Sequence, residues 1–188
     1  DFISSITCET ALGLAAHLGR LHHLQCLLAH GANPNICNKD GNFPIHDAAF
    51  HGHLSVVRFI LRVRPNHIFS QGYEGQTPIL RACYNGKLSV IKFLYDQDPK
   101  VLNVRDRKTG RTVLHFVANC FGEGEQGEGE QDYIQCAEWV VSIRRDLLFV
   151  KDNKEETPLM TAQRRKKLAM VRFLQRAIDL PTDEKDPS

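Results

Sequence analysis

The sequence has no long apolar run and no strong excess of charge. No apolar stretch reaches the roughly 18 residues that a membrane-spanning helix needs, and the first residues, "DFISSITCET", contain no basic segment followed by an apolar core. Lys and Arg number 24 against 22 Asp and Glu, so the net charge is only +2. A protein that neutralises many phosphates carries a larger positive excess. We therefore expect neither membrane insertion nor a nucleic acid partner.

Metal-ligand motifs are also missing. The 6 cysteines form no C-x-x-C pair, and no set of Cys and His has the spacing of a zinc site. His22 and His23 are adjacent, and His51 and His53 are close, but no third or fourth ligand follows at suitable spacing. We expect no metal, no cofactor, and reduced, mostly buried thiols in a protein of the cytoplasm or the nucleus.

The common catalytic motifs are absent as well. The sequence contains no G-x-S-x-G, no G-x-x-x-x-G-K and no H-E-x-x-H. The stretch "GEGEQGEGEQ", residues 122–131, is rich in glycine, but its glutamates would repel a phosphate. We therefore expect a protein without enzymatic activity.

A repeated segment is the strongest positive feature. "HGHLSVVRFIL" starts at residue 51, and the similar "NGKLSVIKFL" starts at residue 85. Short helical segments begin at Thr10, Phe43, Thr77, Thr112 and Thr157, at intervals of 33, 34, 35 and 45 residues. The long interval contains an insert, residues 122–132, whose 11 residues account for most of the excess. Such a period is typical of a solenoid built from stacked units.

Each unit has the pattern of two short helices. In residues 74–94, Thr77 is placed to cap a helix whose first residue is Pro78, and Gly86 is placed to end it. A second helix then carries Leu88, Ile91 and Leu94 on one face. Neither helix pair can bury its apolar face alone, so the units must stack.

These segments resemble ankyrin repeats. The resemblance rests on "TALGLAAHLGRLHHLQCLLAHGANPN" (10–35), "FPIHDAAFHGHLSVVRFIL" (43–61), "TPILRACYNGKLSVIKFL" (77–94), "TVLHFVANCFG" (112–122) and "TPLMTAQRRKKLAMVRFL" (157–174). It implies an all-α ankyrin-repeat solenoid of about five helix-turn-helix units joined by short hairpin-like turns. We place the repeats at about residues 3–37, 38–70, 71–105, 106–151 and 152–178, followed by a polar, disordered tail at 179–188.

Departures from the ankyrin pattern predict local irregularities. Phe43 replaces the capping Thr, at a cost of about 1 kcal/mol unless the ring packs. Lys166 replaces the glycine that ends the first helix of the unit, so that helix is expected to run on or fray. The acidic insert is expected to form a mobile loop. Apolar Leu12, Leu21 and Leu24 in the first unit suggest that natural chain precedes residue 1.

The resemblance also implies where a partner binds. His46 and His115 would tie successive turns together, and ankyrin stacks present a concave face built from the first helices and the turn tips. Positions seven and eight after each unit start should point to that face. The residues expected to contact the partner are His17, Leu18, Lys39, Asp40, Phe50, His51, Tyr73, Glu74, Arg81, Tyr84, Asn85, Lys108, Arg111, Asn119, Arg164 and Arg165.

The expected face is aromatic in its middle and basic at one end. Phe50 and Tyr84 would act as anchors, although both rings could instead pack within the stack. Residues 164–167, "RRKK", could either select an acidic partner or form a solvated cap. Asp47 and Arg81 lie on adjacent units and are expected to form an ion pair.

The predicted function is therefore protein binding by a chain that is monomeric by itself. The partner would be another protein, held by an extended and acidic segment or loop in the concave groove. The alternative is an inhibitory or scaffolding segment that masks a folded partner domain, or a spacer in a larger regulatory protein. Asn35 ends "GANPN" and is similar to an asparagine that is hydroxylated in some ankyrin proteins, which is a third hypothesis.

Overall fold

The computed structural model describes residues 10–119 and 129–180. Over these residues the chain forms ten α-helices and no named strand. The helices are α1 (Ala11–His17), α2 (Leu21–Ala29), α3 (Pro44–His51), α4 (Leu54–Val63), α5 (Pro78–Tyr84), α6 (Leu88–Gln97), α7 (Val113–Ala118), α8 (Glu130–Ile143), α9 (Pro158–Arg164) and α10 (Leu168–Asp179). Short 3₁₀ turns at Pro65–Phe69, Pro99–Asn103 and Arg145–Leu148 follow the second helices of units two, three and four.

The helices form two layers. The odd-numbered helices pack side by side from α1 to α9, and the even-numbered helices pack in the same order from α2 to α10. The first layer packs closely because small residues lie between its helices: Ala16, Ala48, Ala82 and Cys83 are fully buried. The prediction of an all-α solenoid made from stacked helix pairs is confirmed.

Helix starts follow the predicted pattern in part. Thr10 Oγ1 accepts a hydrogen bond from Gly13 N at 3.0 Å, and Thr157 Oγ1 accepts one from Met160 N at 3.3 Å. The expected cap by Thr77 is wrong, because its Oγ1 is buried and has no hydrogen-bond partner within the described ranges. Phe43 makes no side-chain cap, but its ring packs against His46 and His67, with centroids 5.8 and 5.5 Å away.

The first helix of unit five ends where the others do. Gly19, Gly52 and Gly86 have φ of 68°, 79° and 63°, and Lys166 adopts the same left-handed conformation with φ of 57°. The expectation that this helix runs on or frays is wrong. Lys167 N donates to Ala162 O at 3.0 Å, which matches the bond from Lys87 N to Ala82 O at 2.9 Å in unit three. These terminal bonds hold lysine in a conformation that costs about 1 kcal/mol.

The insert is shorter than the sequence pattern predicts. Helix α8 begins at Glu130, so residues 130–132, which were assigned to the insert, form its first turn. The carboxylates of Glu130 and Asp132 are favourable there because they face the positive end of the helix dipole. The rest of the predicted mobile loop is residues 122–129, of which 122–128 lie outside the described residues. Helix α10 extends to Asp179, the first residue of the predicted tail, and residues 181–188 also lie outside the described part.

Three histidines tie the units together. His46 Nδ1 accepts from Phe43 N at 3.1 Å, and its Nε2 donates to Ser70 O at 2.9 Å in the next turn. His115 repeats this pattern, since its Nε2 donates to Glu156 O at 2.9 Å. His53 Nε2 donates to His17 O at 2.9 Å in the preceding unit. The bonds of His46 and His115 join neighbouring units through partly buried groups, whereas the bond from His53 to His17 is exposed.

Replacing Gly19 with alanine should be far more destabilising than the same change at Gly31. Both residues have positive φ, of 68° and 85°, which costs a residue with a Cβ about 1 kcal/mol. A Cβ at Gly19 would also lie 2.5 Å from His53 Nδ1, whereas one at Gly31 would meet nothing within 4 Å. Urea unfolding should show a loss of about 3 kcal/mol for Gly19→Ala and about 1 kcal/mol for Gly31→Ala. Equal losses would mean that the His53 contact does not matter.

Acidification should remove stability that His46 contributes. Burial lowers the pKa of His46 from 6.5 to about 4, so the folded state holds the neutral ring. Its contribution is fully present above pH 6.5 and is lost as the pH falls from 6.5 towards 4, by up to about 3 kcal/mol. Unfolding curves measured across this range should show a shallower pH dependence for His46→Asn than for the wild type. The exposed His23→Asn is the control, and a His46→Asn slope identical to that of wild type would contradict the prediction.

Candidate interaction face

A ladder of aromatic rings crosses the first four units. His17 and His51 have ring centroids 4.2 Å apart, and His51 lies 5.0 Å from Phe50. Phe50 continues to Tyr84 at 5.9 Å, and Tyr84 to Phe116 at 6.3 Å. Phe50 and Tyr84 are each half-buried, so they pack across units and still keep part of their surface exposed. The predicted anchors are therefore neighbours within a continuous aromatic surface.

Arg81 lies over this ladder. Its guanidinium carbon is 4.5 Å from the centroid of the Phe50 ring, a cation–π distance. Burial lowers the pKa of Arg81, and the negative charge of the buried Asp47 acts in the opposite direction. The charge of Asp47 thus acts on Arg81, and the ion pair expected between them stays a prediction, while the ring of Phe50 contacts the guanidinium directly.

A pocket of about 380 Å³ opens beside the ladder and is called the concave pocket below. It gathers six of the residues predicted for partner contact, from three successive units. Its lining consists of His17, Asn38, Lys39, Asp40, Asn42, Asp47, Phe50, His51 and Arg81. The pocket offers an aromatic wall, charges of both signs and amide groups, which is a surface suited to a peptide rather than to one small charged ligand.

His51 is held neutral in the concave pocket. Burial lowers its pKa from 6.5 to about 4, and the nearby His17, His53, Arg81 and Lys87 side chains act in the same direction. The ring therefore carries no charge near pH 7, and the pocket around it contains both cations and the carboxylates of Asp40 and Asp47. A carboxylate placed beside it would reverse part of this effect.

Other members of the predicted set hold the stack together instead of facing outward. Asn85 Nδ2 donates to Phe50 O at 2.9 Å. Asn119 is only 5% exposed, and its Oδ1 accepts from Arg165 Nε at 2.8 Å. The expectation that Asn119 faces the partner is wrong, because the residue lies at the end of a six-residue helix and is covered by Arg165 of the next unit.

Leu18 also lies elsewhere. It was assigned to the concave face, but it lines a separate apolar cavity at the first unit, together with Leu14 and Leu27. The reason is that α1 ends at His17 and Leu18 is already its C-cap residue. The side chain of Leu18 therefore does not lie on the same side of the unit as that of His17. Its side chain is therefore not part of the concave pocket.

The basic end is partly neutralised. Arg164 Nε lies 3.0 Å from Glu156 Oε1, and Arg111 contacts Asp152 at 3.2 Å and Glu156 at 3.6 Å. Lys166 is exposed. A net positive charge thus remains around Arg164, Arg165 and Lys166. The charge of Arg111 is compensated by Asp152 and Glu156, the acidic residues it contacts.

The turn tips form one connected edge. Lys108 Nζ contacts Glu74 Oε1 of the preceding tip, and Tyr73 N donates to Asn42 Oδ1 at 2.9 Å. Tyr73 is 43% exposed, and Lys39 and Asp40 are exposed as well. These predicted residues are available at the surface, beside the concave pocket.

Residues missed by the sequence reasoning shape these tips. Asn38 Oδ1 accepts from the backbone N–H groups of Asp40 and Asn42, each at 3.0 Å. Asp106 accepts from Thr109 N and Arg111 N at 2.9 and 2.8 Å. In the next tip, Asp152 accepts from Lys154 N and Glu156 N. The signal was present, because an Asn or Asp five or six residues before a helix cap is typical of such turns.

Other hypotheses from the sequence have structural counterparts. Asn35 Oδ1 accepts from His67 Nε2 at 2.9 Å, and its proposed hydroxylation stays a prediction. Among the described residues, no group of three or more His, Cys, Asp or Glu could hold a metal ion. The four described cysteines are free thiols, but Cys26 and Cys37 are exposed, so the expectation of mostly buried thiols is not met. No helix in the described ranges is long and apolar enough to cross a membrane.

Comparisons with known proteins agree with this architecture. The family profile described as "Ankyrin repeats (3 copies)" matches residues 3–69. The chain is 40% identical over 57 residues to the nuclear factor NF-kappa-B p110 subunit of Drosophila melanogaster, a match that covers 30% of this chain and 6% of that protein. It is 34% identical over 71 residues to ankyrin repeat and SOCS box protein 3 of Bos taurus, covering 37% and 13%. It is 41% identical over 63 residues to transient receptor potential cation channel subfamily A member 1 of Homo sapiens, covering 34% and 6%.

The fold and the repeated interfaces define a helical repeat protein. Over residues 3–69 the chain matches the ankyrin-repeat profile, and over 71 residues it is similar to an ankyrin-repeat protein. The matched stretches span at most 13% of the length of these three relatives. Ankyrin repeats are in general protein-interaction modules and are typically not enzymes.

Removal of the Asp152 carboxylate should destabilise the fourth turn tip. Burial raises the pKa of Asp152, but the N–H groups of Lys154 and Glu156 and the guanidinium of Arg111 outweigh burial and hold it below its ordinary value. Asp152→Ala should lower the free energy of unfolding by about 2 kcal/mol, because it leaves these donors without their acceptor. Asp146→Ala is the matched control: Asp146 pairs with Arg144 and its side chain is 58% exposed, so the loss should stay below about 1 kcal/mol. Similar losses in denaturant unfolding would count against the proposed role of Asp152.

Proposed function

We propose that this chain binds an extended segment of a partner protein along its concave face, with Phe50 and Tyr84 as the central anchors. The observation that carries the proposal is the concave pocket, in which residues from three units meet beside a ladder of rings. Half-buried aromatic side chains in a pocket commonly supply a large share of binding energy.

The length of the face favours an extended peptide. Neighbouring helices in such a layer lie about 8–10 Å apart, so five units span roughly 40 Å. An extended chain of about 12 residues covers that distance. The turn tips, with exposed Tyr73, Lys39 and Asp40, would contact one side of that peptide.

Charge supports an acidic flank on the partner. Arg164, Arg165 and Lys166 lie together at the fifth unit, and Glu156 is the acid that contacts Arg164 there. At the other end, Lys39 and Arg81 line the concave pocket together with Asp40 and Asp47, so charges of both signs meet there. An acidic segment would therefore gain mainly from the fifth unit, and its binding should weaken as salt is added.

The proposal is tested by proteome-wide peptide display against the wild-type chain and two variants. Phe50→Ala removes a ring from the concave pocket, and Phe149→Ala removes a ring that is 59% exposed and lies outside it. The wild type and Phe149→Ala should recover the same peptide motif, with acidic residues. Phe50→Ala should bind the selected peptides at least about tenfold more weakly. Circular dichroism must show that all three proteins fold equally.

Two outcomes would contradict peptide recognition by this face. One is equal binding of the selected peptides by Phe50→Ala and the wild type. The other is an empty selection with a well-folded wild type, which would favour the alternative in which the chain masks an intact partner domain or acts as a spacer.

A further inference from the structure

The layer of second helices carries aromatic rings at one repeated position. Phe59, Phe93 and Trp139 end the corresponding segments "LSVVRF", "LSVIKF" and "IQCAEW" of units two, three and four. All three rings are half-buried. Neighbouring helices of such a layer lie about 8–10 Å apart, so the rings follow one another at about that distance. The stack thus sets a regular spacing on its outer surface.

Arginine side chains are stacked on two of these rings. The guanidinium carbon of Arg62 is 4.9 Å from the centroid of Phe59, and that of Arg58 is 4.6 Å from the centroid of Phe93. Both arginines are exposed, and neither forms an ion pair with any of the described residues. Stacking restricts the guanidinium while its N–H donors stay free. Such a group can bind a carboxylate through two parallel hydrogen bonds at a reduced entropic cost.

Lys92 extends this pattern into the next unit. It holds the position of Arg58 in unit three, is exposed, and lines with Trp139 a groove of about 430 Å³ between α6 and α8. Arg62, Arg58 and Lys92, called the outer cation row below, thus lie at three successive rings. In unit four the same position is Glu138, and the row ends there.

The distribution of acidic residues favours a short acidic partner segment. Helix α4 contains no Asp or Glu, and none occurs in residues 48–73. Acidic residues do bound the row, because Asp96 lies one helical turn beyond Lys92 and Glu138 takes the next place in the row. A long polyanion, such as nucleic acid or an anionic membrane surface, would be repelled at both edges, whereas a short acidic segment of a protein would not.

We propose that the outer cation row binds an extended acidic segment of a partner protein with a carboxylate at every third residue. Three residues of extended chain span about 10 Å, which matches the distance from one unit to the next. One carboxylate contacts each of Arg62, Arg58 and Lys92. This site is separate from the concave pocket, none of whose lining residues lies on α4 or α6.

The test uses two synthetic peptides of the same composition in a background of glycine and serine. The spaced peptide has glutamates at positions i, i+3 and i+6, and the clustered peptide has three adjacent glutamates. Each is titrated at low salt into the isotope-labelled wild-type chain, and the side-chain Nε–H signals of Arg58 and Arg62 are followed by NMR. The spaced peptide should shift both signals and bind at least about threefold more tightly than the clustered peptide.

Arg58→Lys separates stacked guanidinium recognition from charge alone. It keeps the positive charge but loses the planar fork, so it should weaken binding of the spaced peptide at least about threefold. Arg64→Lys is the matched control, because Arg64 is exposed on the same unit and stacks on no ring within the described ranges. It should leave the affinity unchanged. Circular dichroism must show that both variants fold as the wild type does.

The proposal is wrong if neither arginine signal shifts, if the two peptides bind equally, or if a folded Arg58→Lys binds the spaced peptide as the wild type does. Vesicles that contain phosphatidylserine and a single-stranded oligonucleotide are tested in parallel. Tighter binding of either one than of the spaced peptide, with the same dependence on Arg58, would assign the row to a membrane surface or to nucleic acid and also overturn the proposal.

Discussion

The contact between one helix pair and the next is the constraint on which this structure depends. No unit encloses its own apolar face, so residues such as Ala48, Ala82 and Val117 are fully buried only because a neighbouring unit covers them. Hydrogen bonds reinforce the same contact, from His46 to Ser70 O and from His115 to Glu156 O. Removing one such tie therefore weakens two units at once.

The same contact builds the candidate binding face. His17 O accepts from His53 while the His17 ring meets His51 edge to face, and Phe50 O accepts from Asn85 while its ring contacts Tyr84. Residues that join the units thus lie beside those that line the concave pocket. The face is pre-organised by the stacking itself, which lowers the entropic cost of binding a flexible segment.

The repeat period was enough to predict the helix pairs and the solenoid, because a two-helix unit that cannot fold alone has few other solutions. The same period predicted that Phe50, His51 and Arg81 lie on one face, and all three line the concave pocket. Other positions depended on neighbours that a single unit does not reveal. Asn119 is covered by Arg165, Leu18 turns into a different cavity, and Lys166 is held in a left-handed conformation by bonds that glycine usually makes. Each departure arises at a unit boundary or helix end, where local pattern and packing compete.

The most direct test of the account is a map of backbone amide chemical shifts, recorded on the wild-type chain with an acidic peptide selected by that chain. The account predicts that the largest changes fall along His17, Phe50, His51 and Tyr84 and at the adjacent turn tips around Lys39 and Tyr73. Changes confined to the second helices, α2 to α10, with the concave residues unaffected, would contradict it.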